Sequence, residues 1–212
     1  MGCGKTINAE FSDFLEIQTR TAWGRTLAEF ADWCAPQAGT LLLDLGCGPG
    51  LLPALFTRRF SSRAIGIDYD PALLASAQVP VACADAYCLP FPPSSFDFLT
   101  ATNLIFLLGD PLRALRECRR VLKAGGTLAL LNPSEHLTVA AAQSLADARN
   151  LDGKNRESLL GWAKRAEKHG GWTEEHARQL LRKAGFDLKE TELKVGPGFA
   201  RLVRAVPGLA HP

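Results

Sequence analysis

The stretch LLLDLGCGPG at residues 41–50 constrains the fold more than any other part of the sequence. An apolar run of strand length ends in three glycines at alternate positions, and the helical run LLPALFTRRF follows directly. Glycine permits positive φ angles and lets a bound molecule approach the backbone closely. In a doubly wound sheet, the first strand-to-helix turn faces the ligand crevice at the carboxyl ends of the strands. The segment therefore predicts a ligand-binding turn, and a tight turn that binds nothing is the alternative.

Short apolar runs alternate with helical patterns along the chain, which is typical of βαβ units and a mostly parallel sheet. The length of 212 residues suits one α/β domain that spans residues 1–212. Seven strands are predicted, at Thr40–Leu45, Ala64–Asp68, Val79–Ala84, Phe96–Thr102, Thr127–Asn132, Asp187–Lys194 and Phe199–Ala205. The first five are expected to be buried on both faces. Only VGPG separates the last two, so they should form an antiparallel hairpin.

Several helix boundaries can be predicted from the sequence. Asp-Pro pairs at 70–71 and 110–111 predict an aspartate N-cap followed by proline in the first helical turn. Thr173 is a further predicted cap, and Gly125-Gly126 is expected to stop the helix that precedes the fifth strand.

Two helical segments lie outside this alternation. Residues 8–34 precede the first strand, and residues 134–172 form an insertion between the fifth and sixth strands. Both connect to the edge of the sheet where ligands usually bind. We therefore expect them to be walls or lids over the substrate site.

Composition excludes several classes of function. The formal net charge of +2 is too small for a nucleic-acid-binding surface. No apolar run is long enough to predict a membrane span. The six cysteines have no CxxC spacing, which predicts reduced thiols in a cytoplasmic protein and no metal site. A small-molecule substrate is the expected partner, and the oligomeric state is not predicted.

The details of the turn argue against a dinucleotide. The dinucleotide fingerprint has a small residue three positions after its second glycine, where a pyrophosphate lies at the helix N-terminus. This chain has Leu51 at that position, and its third glycine, Gly50, comes one residue early. Asp44 at the end of the strand would place in the crevice a carboxylate that repels a pyrophosphate and suits a cationic amino group.

Two further carboxylates follow neighbouring strands. Asp68 ends the second strand, 20 positions after Gly48, where a carboxylate can accept hydrogen bonds from ribose hydroxyls. Asp85 follows the third strand in ACADAYCLPF, in position to accept a hydrogen bond from the exocyclic amine of a purine. Together with Asp44, these side chains predict a ligand in which an amino acid is joined to a nucleoside.

The sequence resembles the class I S-adenosylmethionine-dependent methyltransferases, specifically the small-molecule branch that includes ubiquinone and menaquinone biosynthesis methyltransferases. Four motifs carry the resemblance, in order over residues 40–132: LLLDLGCGPG, AIGIDYDPALL, ACADAYCLPFPPSSFDFLTATN and ALRECRRVLKAGGTLALLNP. The resemblance implies a Rossmann-like α/β fold with a seven-stranded sheet in the order 3-2-1-4-5-7-6, strand 7 antiparallel and helices on both faces. It also implies S-adenosylmethionine as the cofactor.

The resemblance further implies ten cofactor-binding residues, which fall into groups by the part of the cofactor they would contact. These are Asp44 with the backbone of Gly46, Cys47 and Gly48 for the methionine part, Asp68 for the ribose, Tyr69 for the adenine face, Asp85 and Ala86 for the adenine edge, and Thr102 and Asn103 beside the sulfonium and the acceptor. For the last pair, a plain turn at the end of a strand is the alternative.

A general base is not evident in the sequence. Many relatives carry histidine just after the fourth strand, in a pattern like LHHL, but this chain has Phe106 and Leu107 there. An apolar wall is the simpler interpretation of that segment. His136, beyond the fifth strand, is the nearest alternative base by topology, although an exposed loop histidine without a role is the favoured interpretation.

Three functional hypotheses follow. The favoured one is an enzyme that transfers a methyl group from S-adenosylmethionine to a small molecule. The second is a noncatalytic partner protein that binds the cofactor, because the histidines are missing. The third is a nicotinamide-dependent oxidoreductase, against which the glycine spacing and Asp44 argue.

Overall fold

The computed structural model describes residues 21–208, which form a seven-stranded sheet with helices on both faces. The strands are β1 (Leu41–Leu45), β2 (Arg63–Asp68), β3 (Val81–Cys83), β4 (Phe96–Thr102), β5 (Leu122–Pro133), β6 (Phe186–Lys194) and β7 (Ala200–Pro207). The helices are α1 (Ala22–Cys34), α2 (Leu51–Phe60), α3 (Pro71–Leu74), α4 (Pro111–Val121), α5 (Val139–Ala148), α6 (Gly153–His169) and α7 (Glu174–Lys183), with the 3-10 helix η1 at Ile105–Leu107.

The sheet order is β3-β2-β1-β4-β5-β7-β6, as the resemblance implied. β1 pairs in parallel with both β2 and β4. The pairs β2–β3 and β4–β5 are also parallel. β7 runs antiparallel to both β5 and β6. The predicted fold class and the terminal hairpin are therefore confirmed. The carboxyl ends of the five parallel strands meet at one edge of the sheet.

Two apolar cores cover the two faces of the sheet. Alternation along β1 shows the division, because Leu43 belongs to one core and Leu42 to the other. α4 and α7 supply side chains to the first core, whereas α1, α2, α5 and α6 supply the second. Both faces of the central strands are therefore apolar, as continuous hydrophobic runs require.

The predicted N-caps are confirmed. Asp70 Oδ1 accepts from the backbone N–H of Ala72 at 2.9 Å, and Asp110 Oδ1 accepts from that of Arg113 at 3.0 Å. Thr173 Oγ1 accepts from the N–H of His176 at 3.0 Å. Each cap satisfies one backbone donor that the first helical turn leaves without a partner.

Two local predictions are wrong. α4 ends at Val121 and β5 starts at once, so Gly125-Gly126 lies inside a strand and does not stop a helix. A register shift between Phe96 and Phe98 occurs beside this segment, and a Cβ on Gly126 would lie 2.9 Å from the carbonyl oxygen of Asp97, so close strand approach explains that glycine. β3 has only three residues and is largely exposed, because it is the edge strand and only β2 covers it.

The two extra segments lie partly within the described residues. Of the predicted N-terminal segment, residues 8–20 lie outside the description, and the remainder contains α1. The insertion at 134–172 contains α5 and α6. None of the helices within residues 21–208 combines the length and the apolar character that a bilayer crossing requires.

Candidate functional site

The glycine turn after β1 has the backbone conformation that the sequence suggested. Gly46, Gly48 and Gly50 have φ angles of +69°, +52° and +80°. Residues with a Cβ are strained in this region, so glycine is strongly favoured at each of the three positions. The N–H of Cys47 donates to the carbonyl of Ile67 at 2.9 Å, which ties the turn to the end of β2.

Cys47 contributes only its backbone to the surface of the turn. Its side chain is 3% exposed and packs over Gly66 of β2, where an added Cβ would come within 2.5 Å of Sγ. Burial raises the pKa of the Cys47 thiol, and the carboxylates of Asp44 and Asp68 raise it further. The thiol is therefore an inert packing group.

Asp44 lies beneath the turn and not in the open crevice that the sequence suggested. It is 1% exposed, and Thr100 Oγ1 donates to its Oδ1 at 2.7 Å. Thr100 is the residue directly opposite Asp44 in the parallel register of β1 and β4. Burial raises the pKa of Asp44 to about 7, the Thr100 hydroxyl opposes this, and the charge of Asp68 adds to it. The carboxyl group is thus held under the turn with a pKa of about 7.

Asp68 connects the glycine turn to the segment that follows β2. Its Oδ2 accepts from the N–H of Gly48 at 2.9 Å, and its Oδ1 accepts from the N–H of Asp70 at 3.0 Å. Each carboxylate oxygen keeps a second lone pair for another donor. The half-buried side chain therefore both shapes the turn and offers acceptors beside it.

Tyr69 follows Asp68 and is 78% exposed, which is unusual for a large aromatic side chain. Its backbone carbonyl accepts from the Cys83 thiol at 3.4 Å, so the ends of β2 and β3 are joined there. The ring is free to stack on a flat ligand that lies over the ends of these strands.

Asp85 lies in a tight turn after β3. Its Oδ1 accepts from the N–H of Tyr87 at 2.8 Å, and the side chain is exposed. Ala86, between them, is half-buried and packs against the first core. The Tyr87 hydroxyl accepts from the N–H of Asp110 at 3.0 Å, which fastens this turn to the start of α4.

Thr102 and Asn103 end β4 and meet the insertion. Asn103 has a φ of +53°, and its N–H donates to the carbonyl of Leu131 at 2.7 Å. Its Oδ1 accepts from Nε1 of Trp162 on α6 at 3.0 Å. The Trp162 ring also lies 5.8 Å from the ring of Trp23 on α1, measured between centroids. Both extra helical segments therefore reach the carboxyl end of β4.

Phe106 and Leu107 form η1 directly after this point. Phe106 is 6% exposed, and its N–H donates to Asn132 Oδ1 at 3.4 Å. Asn132, at the end of β5, is fully buried, and its Nδ2 has no partner among the described residues. The position at which relatives carry histidine is thus occupied by an apolar side chain that packs in the core.

His136 lies on the other side of β5. Its N–H donates to Ser134 Oγ at 3.1 Å, and Ser134 Oγ in turn donates to the carbonyl of Gly198 in the β6–β7 turn. The His136 ring is about half exposed, with its Nε2 3.7 Å from the carboxylate of Glu135. Within residues 21–208, His136 contacts its own loop and the β6–β7 turn and makes no contact with Asn103.

Two contacts at the candidate site were not apparent from the sequence. The bond between Thr100 and Asp44 links residues 56 positions apart, and the bond between Trp162 and Asn103 links residues 59 apart. A polar threonine within an apolar strand was the signal for the first. Within residues 21–208, no group of three or more His, Cys, Asp or Glu side chains is arranged to hold a metal ion.

A sheet in this order, with a glycine turn after β1 and acidic residues at the ends of β1 and β2 and just after β3, defines the class I S-adenosylmethionine-dependent methyltransferase fold. Residues 43–130 match a family model described as a methyltransferase domain. This stretch of the chain is therefore similar to methyltransferase domains.

Relatives and solved structures agree with this assignment. The chain is 35% identical over 122 residues to the 2-phytyl-1,4-naphtoquinone methyltransferase of Thermosynechococcus vestitus, covering 53% of this chain and 54% of that protein. It spans about half the length of the curated relatives it matches. A methyltransferase in complex with the Haloferax volcanii Trm112 methyltransferase activator superimposes with a TM-score of 0.71, at 19% identity over 98% of this chain and 100% of that one. The magnesium protoporphyrin IX methyltransferase of Synechocystis PCC 6803, with bound SAH, gives 0.69 at 14% identity, covering 94% of each chain.

Proposed function

We propose that this chain transfers a methyl group from S-adenosylmethionine to a small-molecule acceptor. The observation that carries the proposal is the Asp68 carboxylate, which accepts from the Gly48 N–H and keeps a second lone pair on each oxygen for another donor. The turn offers backbone donors without side chains, and a carboxylate stands beside them. This combination suits the ribose and amino-acid parts of the cofactor and is unfavourable for a pyrophosphate.

We propose the following cofactor contacts for the residues around the turn. Asp68 accepts from the ribose hydroxyls, and Tyr69 stacks on the adenine ring. Asp85 contacts the adenine edge through its side chain and Ala86 through its backbone amide, and Asp85 Oδ2 has no partner among residues 21–208. The backbone of Gly46, Cys47 and Gly48 faces the methionine part.

The remaining contacts involve the ends of β1 and β4. The Asp44 carboxyl lies beneath the turn and, when this carboxyl is ionised, its negative charge stabilises the bound ammonium group of the cofactor. Thr102 and Asn103 border the sulfonium and the acceptor, and Trp162 fixes the orientation of the Asn103 amide. When bound, the cofactor supplies an activated methyl group on a sulfonium, so the chain's main task is orientation.

Transfer needs the acceptor atom in line with the methyl group, at about 3–3.5 Å from its carbon. The wall of the proposed acceptor site is formed by the end of β4, by η1 and by α6, which meet at Asn103 and Phe106. Phe106 cannot remove a proton, so an acceptor that is already nucleophilic fits best. His136 stays the proposed base for an acceptor that must lose a proton, and its contacts with the β6–β7 turn argue against that role.

We also propose that the chain is one methyltransferase domain whose extra helical segments cover the acceptor. α1 and α6 are joined by the Trp23–Trp162 contact and by a bond from the N–H of Ala22 to Asn155 Oδ1 at 3.2 Å. The proposed setting is the cytoplasm, and the proposed partners are small molecules and not nucleic acids. The mild net charge supports this proposal.

Calorimetry tests the cofactor assignment directly. Wild-type protein should bind S-adenosylhomocysteine and give no heat with NADH. Gly48→Ala should abolish this binding, because a Cβ enters the turn at a φ of +52°. Gly39→Ala is the matched control: Gly39 also has a positive φ, of +80°, but lies in a turn before β1 with open space around it. NADH binding without S-adenosylhomocysteine binding would favour an oxidoreductase, and binding of the cofactor without turnover of any acceptor would favour a noncatalytic partner protein.

A further inference from the structure

β6, which forms one edge of the sheet, has an unpaired outer side within residues 21–208. Its ladder partner is β7, so about half of the backbone N–H and C=O groups of β6 face outward. β6 has nine residues and no proline, whereas β3 at the opposite edge has three residues. A long open edge is a template for pairing with another strand. β6 is therefore a candidate surface for a strand of a second chain.

A bulge in β6 decides which of its side chains share a face. The pairing with β7 shifts register between Leu188 and Glu190, so Lys189 is an extra residue in the strand. Without the bulge, Leu188 and Leu193 would point to opposite faces, because they are an odd number of positions apart. With it, one face carries Leu188, Thr191 and Leu193, and the other carries Asp187, Glu190, Glu192 and Lys194.

β6 is complementary to itself when a second copy runs antiparallel beside it. Directly opposite residues of an antiparallel pair lie on the same face, so the allowed registers differ by steps of two positions. The register centred on Thr191 sets opposite charges against each other on one face and apolar side chains against each other on the other. Its pairs are Thr191 with Thr191, Leu188 with Leu193, Asp187 with Lys194, and the bulge residue Lys189 with Glu192.

The two neighbouring registers lack this complementarity. A step in one direction places Asp187 opposite Glu192, and a step in the other places Glu192 opposite its own copy. Like charges directly opposite each other are destabilising. Glu190, the remaining charge at the bulge, is compensated within its own chain, because its Oε2 accepts from Nε of Arg204 at 2.9 Å. The charges of β6 therefore select one register, whereas charges that only prevented pairing would select none.

The uncharged face supports the same register. Leu193 is 39% exposed, and in this register it is covered by Leu188 of the other copy. Thr191 Oγ1 accepts from Nη1 of Arg201 at 3.0 Å, so the Thr191 hydroxyl can still donate across the axis. Both apolar and polar cross-strand pairs are therefore available on this face.

We infer that β6 binds β6 of a second copy of this chain, antiparallel and with Thr191 opposite Thr191, so that the two sheets become continuous. The two-fold axis passes between the two threonines, and the same surface of each copy forms the interface. A second copy is the partner because the charges of the strand complement the strand itself. The inference does not depend on the proposed methyl transfer.

Sedimentation equilibrium of the full chain measures the dissociation constant of the dimer. Wild type should dimerise at a concentration on the order of 0.1 mM or below. Asp187→Lys and Lys194→Glu should each weaken the dimer about tenfold or more, because each sets two pairs of like charges across the axis. Arg58→Glu is the matched control and should leave dimerisation unchanged, since Arg58 is exposed on α2, which packs against β1 and β2.

Mixing the two charge-reversed variants tests the register itself. An equimolar mixture of Asp187→Lys and Lys194→Glu should form a heterodimer about as tight as the wild-type dimer, because opposite charges again face each other at both ends of the strand pair. This recovery also requires both variants to be folded. A wild type that stays monomeric up to about 0.1 mM, equal dimerisation of wild type and both single variants, or a mixture that stays monomeric would overturn the inference.

Discussion

The buried Asp44 carboxyl should make the stability of the protein fall as the pH rises through neutrality. Its pKa is 3.8 when unperturbed and about 7 in the folded chain. Between these values the folded state holds a proton that the unfolded state has released, so folding becomes less favourable with increasing pH. The loss starts near the unfolded pKa and is complete above the folded one.

The size of the effect follows from the shift. A difference of about three pKa units corresponds to about 4 kcal/mol of unfolding free energy, of which about 3 kcal/mol is lost between pH 5 and pH 8.5. Asp44→Asn removes the ionisation and keeps an oxygen that can accept from Thr100. Relative to wild type, this variant should therefore gain about 3 kcal/mol on going from pH 5 to pH 8.5.

Urea unfolding at a series of pH values measures this difference. Asp97→Asn is the control, because Asp97 is an exposed carboxylate that accepts from Lys123 and from the N–H of Leu41, and these bonds lower its pKa. Its contribution is lost only in acid, below its unfolded pKa, so its curve should stay parallel to that of wild type above pH 5. Parallel curves for Asp44→Asn and wild type over that range would refute the assignment of a raised pKa to Asp44.

Three further changes have expected outcomes. Asp68→Asn removes the charged acceptor of the turn and should weaken S-adenosylhomocysteine binding, measured by calorimetry, about tenfold or more. Asp70→Asn keeps a helix cap and should not weaken it, so equal losses in the two variants would contradict the role of Asp68. Thr100→Val should destabilise the fold by about 1–2 kcal/mol at pH 8.5 and by less at pH 5, because its hydroxyl stabilises ionised Asp44; urea unfolding at both values decides. Trp162→Phe should cost about 1 kcal/mol in urea unfolding through its lost bond to the end of β4, and no loss would show that water replaces that bond.

Most strands and helices could be predicted from the sequence because local patterns of apolar residues and turn residues define them. β4 was predicted at Phe96–Thr102, its observed bounds, since an apolar run and clear flanks define it. β5 was predicted to start too late, because two glycines resemble a helix stop and only the register shift against β4 shows that they lie in a strand. The length of β3 was overestimated for a similar reason: whether a short apolar run pairs along its whole length depends on its neighbours.

The residues of the candidate site likewise fall into those that local sequence patterns predicted and those that they did not. The glycine turn and Asp68 could be found from spacing, because they follow strands that end at one edge of the sheet. The burial of Asp44 could not, since it depends on Thr100 standing opposite in the register of β1 and β4. The bond between Trp162 and Asn103 likewise joins a helix of the insertion to a strand end, and no local pattern marks such a contact.

This division limits what the family match can say about the acceptor. The matching residues, 43–130, contain the turn, the carboxylates and Asn103, but neither α1 nor α6. The proposed acceptor wall includes Trp162 and Trp23, which lie outside that stretch. A relative can therefore share the proposed cofactor half of the site with this chain and act on a different molecule. The chemistry of the acceptor has to be argued from the helices that this chain adds around the common core.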